Sequence, residues 1–302
     1  MKVLTEVLDH LDEQADEGRR WLEVRLLVGT DPLTRGPRIP WARLDAAVAR
    51  WRSEQRFEQC FFVRKYPGLR LRFSGPGLAE RLTPDLAAWV EDETGRGELA
   101  GHRFAVYEPE LRRFGGPAGM DAAHRHWDQD TRLVLGYEAM CSAMPVTASP
   151  VTVGASRLWA AMVNHLLRLC LEDAAEVWDV WKRLDTLIAS ASASGETEHS
   201  RPQGIDPALA RGLYQLSPEL LKRLVPAEVR ILLQAAIGNQ RTAKEIGALD
   251  FHGGLAVGKR SWLTANATFQ CNRWGLGLRL GELRSVTEAM TLLLQPDRQG
   301  TS

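Results

Sequence analysis

The chain lacks the motifs that announce most chemistries. Its four cysteines, Cys60, Cys141, Cys170 and Cys271, are scattered and form no CxxC pair. A zinc ribbon or dithiol redox centre therefore has no ligands, and the cysteines read as buried thiols of a reducing compartment. Charge of one sign is missing too: Lys and Arg total 38, as do Asp and Glu. No global field would draw in nucleic acid or an anionic membrane. No uncharged apolar run approaches the ~18 residues that a membrane-spanning helix needs. The opening MKVLTEVLDHLDEQADEGRR holds no uninterrupted apolar segment, so no secretion signal is expected. These features together lead us to expect a cytoplasmic protein with no membrane partner. GxGxxG, GK[ST], HExxH and GxSxG are all missing, which removes the usual anchors for a phosphate loop, a zinc protease and a serine hydrolase.

What remains is ordinary globular composition: 302 residues, 44% hydrophobic and 25% charged, with ample material for a core. Leu4 to Arg20 reads as an amphipathic helix. In Trp21 to Val28, Leu22, Val24 and Leu26 share one face, as in a strand. Gly29 to Pro40 reads as a loop and Pro40 to Glu54 as a helix. Cys60 to Arg64 and Leu69 to Phe73 read as two strands joined through Lys65-Tyr66-Pro67-Gly68, where Pro-Gly fits the centre of a type II turn. Arg103 to Tyr107 is a further expected strand, and Ala118 to Asp130 a helix.

The later chain is helical in pattern: Ser156 to Leu171, Ala174 to Ile188, segments opening at Pro207, Pro218 and Pro226, then Lys259 to Trp274 and Gly281 to Leu294. Ser190 to Gly204 is Ser-rich and polar and reads as a loop. Strands early and helices late predict an α+β fold, an antiparallel sheet packed with a largely helical second half. A single domain over 1–302 is expected, with an α+β part over about 1–150 and a helical part over about 151–302.

Four constellations carry candidate chemistry. RKYPGLRLR gathers Arg64, Lys65, Arg70 and Arg72, with Arg70 and Arg72 on one strand face. They form either a solvated sheet face or a cationic floor for a carboxylate or peptide carbonyl, a task suited to the planar guanidinium fork. YEPELRRFGG holds Glu108, Glu110, Arg112 and Arg113, read as a surface ion-pair cluster beside a Gly-Gly turn. His124-Arg125-His126 is a poor chelate, because residues i and i+2 of a helix do not face one another. These histidines are expected to be exposed or capping, and no metal is expected. Ser261, Trp262, Gln270, Asn272, Arg273 and Trp274 belong to one predicted helix, with Asn266, Gln270 and Arg273 along one stripe. Amides and guanidinium among apolar neighbours are costly to bury without partners, so this stripe marks either a site or a solvent-facing helix side.

Taken in order, WLEVRLLV, FFVRKYPGLRLRF, YEPELRRFGGPAGMDAAHRHWDQDT and FQCNRWG resemble the thiopeptide-type biosynthesis domain, a relative of the C-terminal glutamate-elimination domain of lantibiotic dehydratases. The resemblance runs from about Trp21 to Leu294. Its more specific marks are Arg113-Phe114-Gly115-Gly116, Asp130-Thr131 and Asn272-Arg273. Members of that family eliminate glutamate from glutamylated Ser or Thr, or join two dehydroalanines into a pyridine with loss of water and the leader peptide. A third group extends peptides from aminoacyl-tRNA, with a large additional domain. Eliminating relatives usually carry a histidine four residues before the Asn-Arg pair, where this chain has Thr268. Histidine is the usual acid–base group near neutral pH, so this departure weakens elimination and suits pyridine synthesis, with a glutamate-eliminating component of a split dehydratase and a non-catalytic leader-binding relative as the alternatives.

The resemblance implies a modified precursor peptide, leader plus dehydrated core, as substrate, with other pathway enzymes as candidate partners. It implies Arg70, Arg72, Tyr66, Ser261, Gln270 and Asn272 as catalytic candidates. Arg64, Glu108, Arg113, Trp262, Arg273 and Trp274 are the substrate-binding candidates. The hairpin arginines and the late helix are expected to share one cavity. No cofactor is expected, because loss of water and of the leader amide brings the ring to the pyridine level without redox chemistry.

Overall fold

A computed structural model describes residues 21–29, 38–143, 153–193 and 207–296. The expected helix over Leu4 to Arg20, most of the loop from Gly29 to Pro40, and residues 194–204 of the Ser-rich stretch lie outside the described residues. The fold is α+β. By the density of its contacts the chain divides into two compact units, Met1–Pro109 with Asp130–Val146, and Glu110–Gln129 with Thr147–Ser302. These units are interleaved along the chain.

The first unit is built on an antiparallel sheet in the order β2-β3-β1-β4, from β1 (Trp21–Leu27), β2 (Gln59–Lys65), β3 (Gly68–Ser74) and β4 (Gly101–Ala105). Alternation sends Leu22, Val24 and Leu26 of β1 to one face, in register with Phe73, Leu71 and Leu69 of β3. Phe62 and Cys60 of β2 complete that apolar face. Helix α1 (Trp41–Ser53) covers it. Its buried Trp41, Leu44, Val48 and Trp51 recur at helical spacing, and Trp41 meets Phe62 while Trp51 meets Phe73 edge-on. Each such side chain stabilises the fold by about 1.5–3 kcal/mol relative to exposure. The short α2 (Leu78–Arg81) leads into α3 (Thr83–Gly95), whose Trp89 reaches Trp51. Neither of these helices was expected from the pattern.

The hairpin differs from its expected turn. Lys65 pairs with Gly68, so the two-residue turn is Tyr66-Pro67, joined by a cis peptide. Gly68 is a strand residue. A Cβ there would lie 1.9 Å from the Leu26 carbonyl oxygen, so glycine answers a close strand approach rather than a type II turn.

Helix α4 (Pro117–Ser142) continues well past its expected end at Asp130, and it contributes to both units. The second unit is otherwise helical: α5 (Ala155–Cys170), α6 (Ala174–Ala193), α7 (Pro207–Gln215), α8 (Pro218–Arg223), α9 (Pro226–Phe251), α10 (Lys259–Arg273) and α11 (Leu280–Leu294). Pro207, Pro218 and Pro226 each open a helix, where the missing N–H costs nothing. Ser190 falls inside α6, not in a loop. Several buried polar groups pair across the helices. Trp181 Nε1 donates to Asn164 Oδ1 at 3.1 Å, Trp159 Nε1 to the Ala267 carbonyl at 3.3 Å, and Asn239 Nδ2 to the Met162 carbonyl at 2.8 Å. Buried Glu228 accepts from the Val225 and Val153 amides, which ties the start of α9 to the approach of α5. Since Val225 has no polar side chain, this is a carboxylate clamp rather than a reciprocal cap.

Candidate functional site

The candidate residues fall in both units. In the first, Arg70 and Arg72 stand on the sheet face opposite α1, as alternation predicts. Arg72 is buried: its Nε donates to Glu23 Oε2 at 2.6 Å. Glu23, 1% exposed, also accepts from Arg25 Nε at 2.7 Å. The Arg72 guanidinium lies 4.1 Å from the Tyr107 ring centroid and 5.2 Å from that of Phe61. Trp21, Phe61 and Tyr107 contact one another edge-on at 5.3 to 5.5 Å. This aromatic cluster shields the Glu23–Arg72 pair, and low dielectric strengthens such charge-assisted bonds. Arg70 is half-buried. Burial lowers its pKa first, then the neighbouring Arg25, Arg72 and Arg103, with Glu23 acting the other way.

Arg64 does not join this cationic floor. It pairs in register with Leu69, on the opposite sheet face, because it is an odd number of positions from the floor residues of its own strand. There it lies 4.5 Å over the Trp41 ring and binds Glu138 Oε1 at 2.5 Å. Its task is to fix α4 to the sheet. Tyr66 is 85% exposed at the hairpin tip, and Glu108 is exposed.

In the second unit the RFGG stretch meets α10 through an aromatic cluster. Phe114 touches Trp127, Trp262 and Phe269 edge-on, and Trp127 stacks on Phe269 at 4.7 Å and 9°. The glycines make the approach possible. Gly115, at φ +75, accepts a hydrogen bond from the Ala256 amide. A Cβ on Gly119 would lie 1.9 Å from the Phe114 carbonyl oxygen, and the Gly119 carbonyl accepts from Trp262 Nε1 at 3.0 Å. Replacing Gly119 with alanine should therefore force the RFGG turn off α4. The expected loss is about 1–3 kcal/mol of stability, typical of overpacking, and guanidinium unfolding would measure it. An unshifted midpoint would show that the turn yields freely.

Arg113 is exposed, with its guanidinium 5.2 Å from the Phe269 centroid. It also forms an exposed pair with Glu110 at 3.3 Å, so this part of the surface ion-pair reading holds. Trp262 is 0% exposed. On α10 the stripe of Asn266, Gln270 and Arg273 is buried, not turned to solvent. Asn266 accepts from Trp127 Nε1 at 2.9 Å, and the Arg273 guanidinium lies 5.3 Å from the Trp127 centroid. Asn272 is half-buried, Trp274 buried, and Ser261 exposed with Arg183 at 3.5 Å. Thr268 Oγ1 donates to the Thr264 carbonyl one turn back at 2.8 Å. Burial pushes the Cys271 thiol up to about 12, which leaves it protonated and unreactive at neutral pH.

The histidines correct another expectation. His124 and His126 are 2% and 4% exposed, because α4 is enclosed on most of its sides. His126 Nδ1 lies 3.1 Å from Thr242 Oγ1, whose own proton goes to the Gly238 carbonyl. That network assigns the proton to His126 Nδ1. Among the described residues no group of three or more His, Cys, Asp or Glu could hold a metal ion. Likewise, no described helix is long and apolar enough to cross a membrane.

The sequence reading missed Glu23, Arg25, Arg103 and the Trp21–Phe61–Tyr107 cluster. The signal was present in β1: Trp21, Glu23 and Arg25 alternate with the apolar set and had to face the same side as Arg70 and Arg72. Trp127 and Phe269 gave no comparable signal, because an aromatic residue on a helix reads as core until its neighbours are known.

Comparison with known proteins places the fold. The crystal structure of the tRNA-dependent lantibiotic dehydratase MibB from Microbispora sp. 107891 matches with a TM-score of 0.65 at 19% identity, over 93% of this chain. The chain spans 28% of that protein's length. The crystal structure of TsrL is more distant, with a TM-score of 0.45 and 14% identity over 92% of this chain and 97% of that one. No curated protein matches the chain. The family description "Lantibiotic biosynthesis dehydratase C-term" matches residues 21–279, from β1 to the turn before α11, and the chain therefore belongs to the lantibiotic biosynthesis dehydratase C-terminal family.

Proposed function

We propose that this protein is a pyridine synthase acting on a modified ribosomal peptide. It would join two dehydroalanines of a dehydrated, azole-bearing precursor in a formal 4+2 cycloaddition, then expel water and the leader. The observation that carries this reading is Thr268. Eliminating relatives usually place a histidine there, whereas this hydroxyl is engaged by the helix backbone at 2.8 Å. With the Cys271 thiol held protonated by burial, α10 has no side chain suited to proton abstraction near neutral pH, and its amides suit orientation instead.

Orientation is what the reaction needs most. The amide beside one dehydroalanine must tautomerise to an imidic acid to become a 2-azadiene, and the second dehydroalanine is the dienophile. Holding both in an attack geometry lowers the barrier by several kcal/mol, with roughly 7–11 as the upper range for intramolecular reactions. Donors on the amide oxygen stabilise the tautomer and the charge that develops. Arg70 of the first unit or Asn272 of the second is the candidate donor. The more deeply buried Arg72 and Gln270 serve better as supports, each within its own unit. Tyr66, Ser261 or Glu108, each exposed, would relay a proton during aromatisation.

Incubating the protein with a fully dehydrated precursor should give a macrocycle and released leader amide in the mass spectrum. Thr268→His should not raise pyridine yield. A variant that gains pyridine formation would show that acid–base chemistry at this position, not orientation, limits the reaction. The second reading is a glutamate eliminase working with a separate glutamylating protein. The positive character around Arg70 favours it, since a glutamyl carboxylate would be attracted there. Conversion of a glutamylated precursor, with no macrocycle from the dehydrated one, would establish that reading instead.

A further inference from the structure

The polar face of the sheet extends beyond the residues assigned above. Register sets Arg25 opposite Arg70 on one side and opposite Arg103 on the other. Arg70, Arg25 and Arg103 thus form one row across β3, β1 and β4. Like charges directly opposite on neighbouring strands repel. Among the described strand residues Glu23 is the one buried carboxylate on this face, and its two oxygens already serve Arg25 and Arg72. Among the described residues neither Arg70 nor Arg103 forms an ion pair with a carboxylate. Burial is the first cause of the lowered Arg70 pKa, and Arg25, Arg72 and Arg103 add to it against the opposing pull of Glu23.

Strand β4 ends the sheet, and among the described residues no strand pairs with its outer side. Such an edge presents unpaired N–H and C=O groups. A single exposed arginine there would serve to blunt aggregation. Arg70 and Arg25, inside the sheet, add nothing to that protection, so the row requires another account.

We propose that the outer edge of β4 takes an extended acidic segment of the peptide substrate as a fifth strand, with a carboxylate opposite Arg103. This rests on the reading of the substrate as a peptide. Main-chain bonds along an added strand give affinity, and the cross-strand charge pair fixes the register. An acid in that position ends the row of cations with its counter-charge.

The test uses the intact protein and a fluorescein-labelled nine-residue peptide of alternating Val and Glu, followed by fluorescence anisotropy. The expected result is at least tenfold tighter binding than for the Gln-for-Glu analogue. N-methylation of alternate residues, made in two sets, should abolish binding in one set, because only one set of amides faces the edge. Arg103→Glu should weaken binding at least tenfold, and Arg103→Lys should restore most of it. Circular dichroism will confirm that the variants fold. Equal affinity for the Glu and Gln peptides would overturn the proposal. So would indifference to both N-methylated sets, or to Arg103→Glu. Turnover of dehydrated precursor by a protein that ignores the acidic peptide would remove the edge site alone. Peptide binding as expected without pyridine formation would support the edge and overturn the reaction instead.

Discussion

Glu23→Ala is expected to be among the most destabilising single changes in the first unit. The carboxylate is 1% exposed and bridges Arg72 and Arg25 at 2.6 and 2.7 Å. Its removal leaves the Arg72 guanidinium, with a side chain 10% exposed, beside two further arginines and no anion. Breaking a buried pair in this way costs about 3–5 kcal/mol, most of it the penalty of the charge left behind. The contact with the Tyr107 ring at 4.1 Å recovers only part, since a cation–π contact is worth roughly 0.5–2 kcal/mol. Arg72→Ala should cost a similar amount for the complementary reason. A double Glu23→Leu, Arg72→Met variant should regain stability, because well-packed apolar replacements of a buried pair are often neutral or better. Guanidinium unfolding measures all of these. A Glu23→Ala midpoint within error of the parent would mean that water reaches the pair and that the aromatic cluster does not shield it.

Arg70→Ala is expected to behave in the opposite way, with an intact fold and much slower turnover. Among the described residues Arg70 forms no ion pair with a carboxylate; burial and then its like-charged neighbours disfavour its charge, against the pull of Glu23, so truncation breaks no such pair. If its guanidinium stabilises the developing charge on the substrate amide, kcat for pyridine formation should fall by about 10²–10³, as when one oxyanion donor is lost. KM should change little, because such an interaction is made in the transition state. A raised KM at constant kcat would reassign Arg70 to substrate binding. Loss of stability without loss of turnover per folded molecule would make it structural.

These two neighbours show why the hairpin could not be read in full from its letters. Alternation along LRLRF placed Arg70 and Arg72 on one face, and the structure has them there. It could not say that one is half-exposed and the other locked to a carboxylate 49 residues earlier. The same alternation, carried one strand back, already put Arg64 on the other face. Counting basic residues within nine positions concealed that, because proximity along a hairpin ignores the pleat. The helices after residue 155 were legible because apolar spacing and first-turn prolines agree. Helix α3 was not, because its charged residues blur its buried stripe.

The sequence alone determined most of the elements of the α+β fold, the segments that resemble the family, and the amide-rich stripe of α10, since each depends on residue type and short-range periodicity. Tertiary structure alone decided which charges are partnered, which histidines are buried and which arginines share a row. Those properties depend on side chains brought together from distant positions by strand register and helix enclosure, and no local pattern encodes that distance.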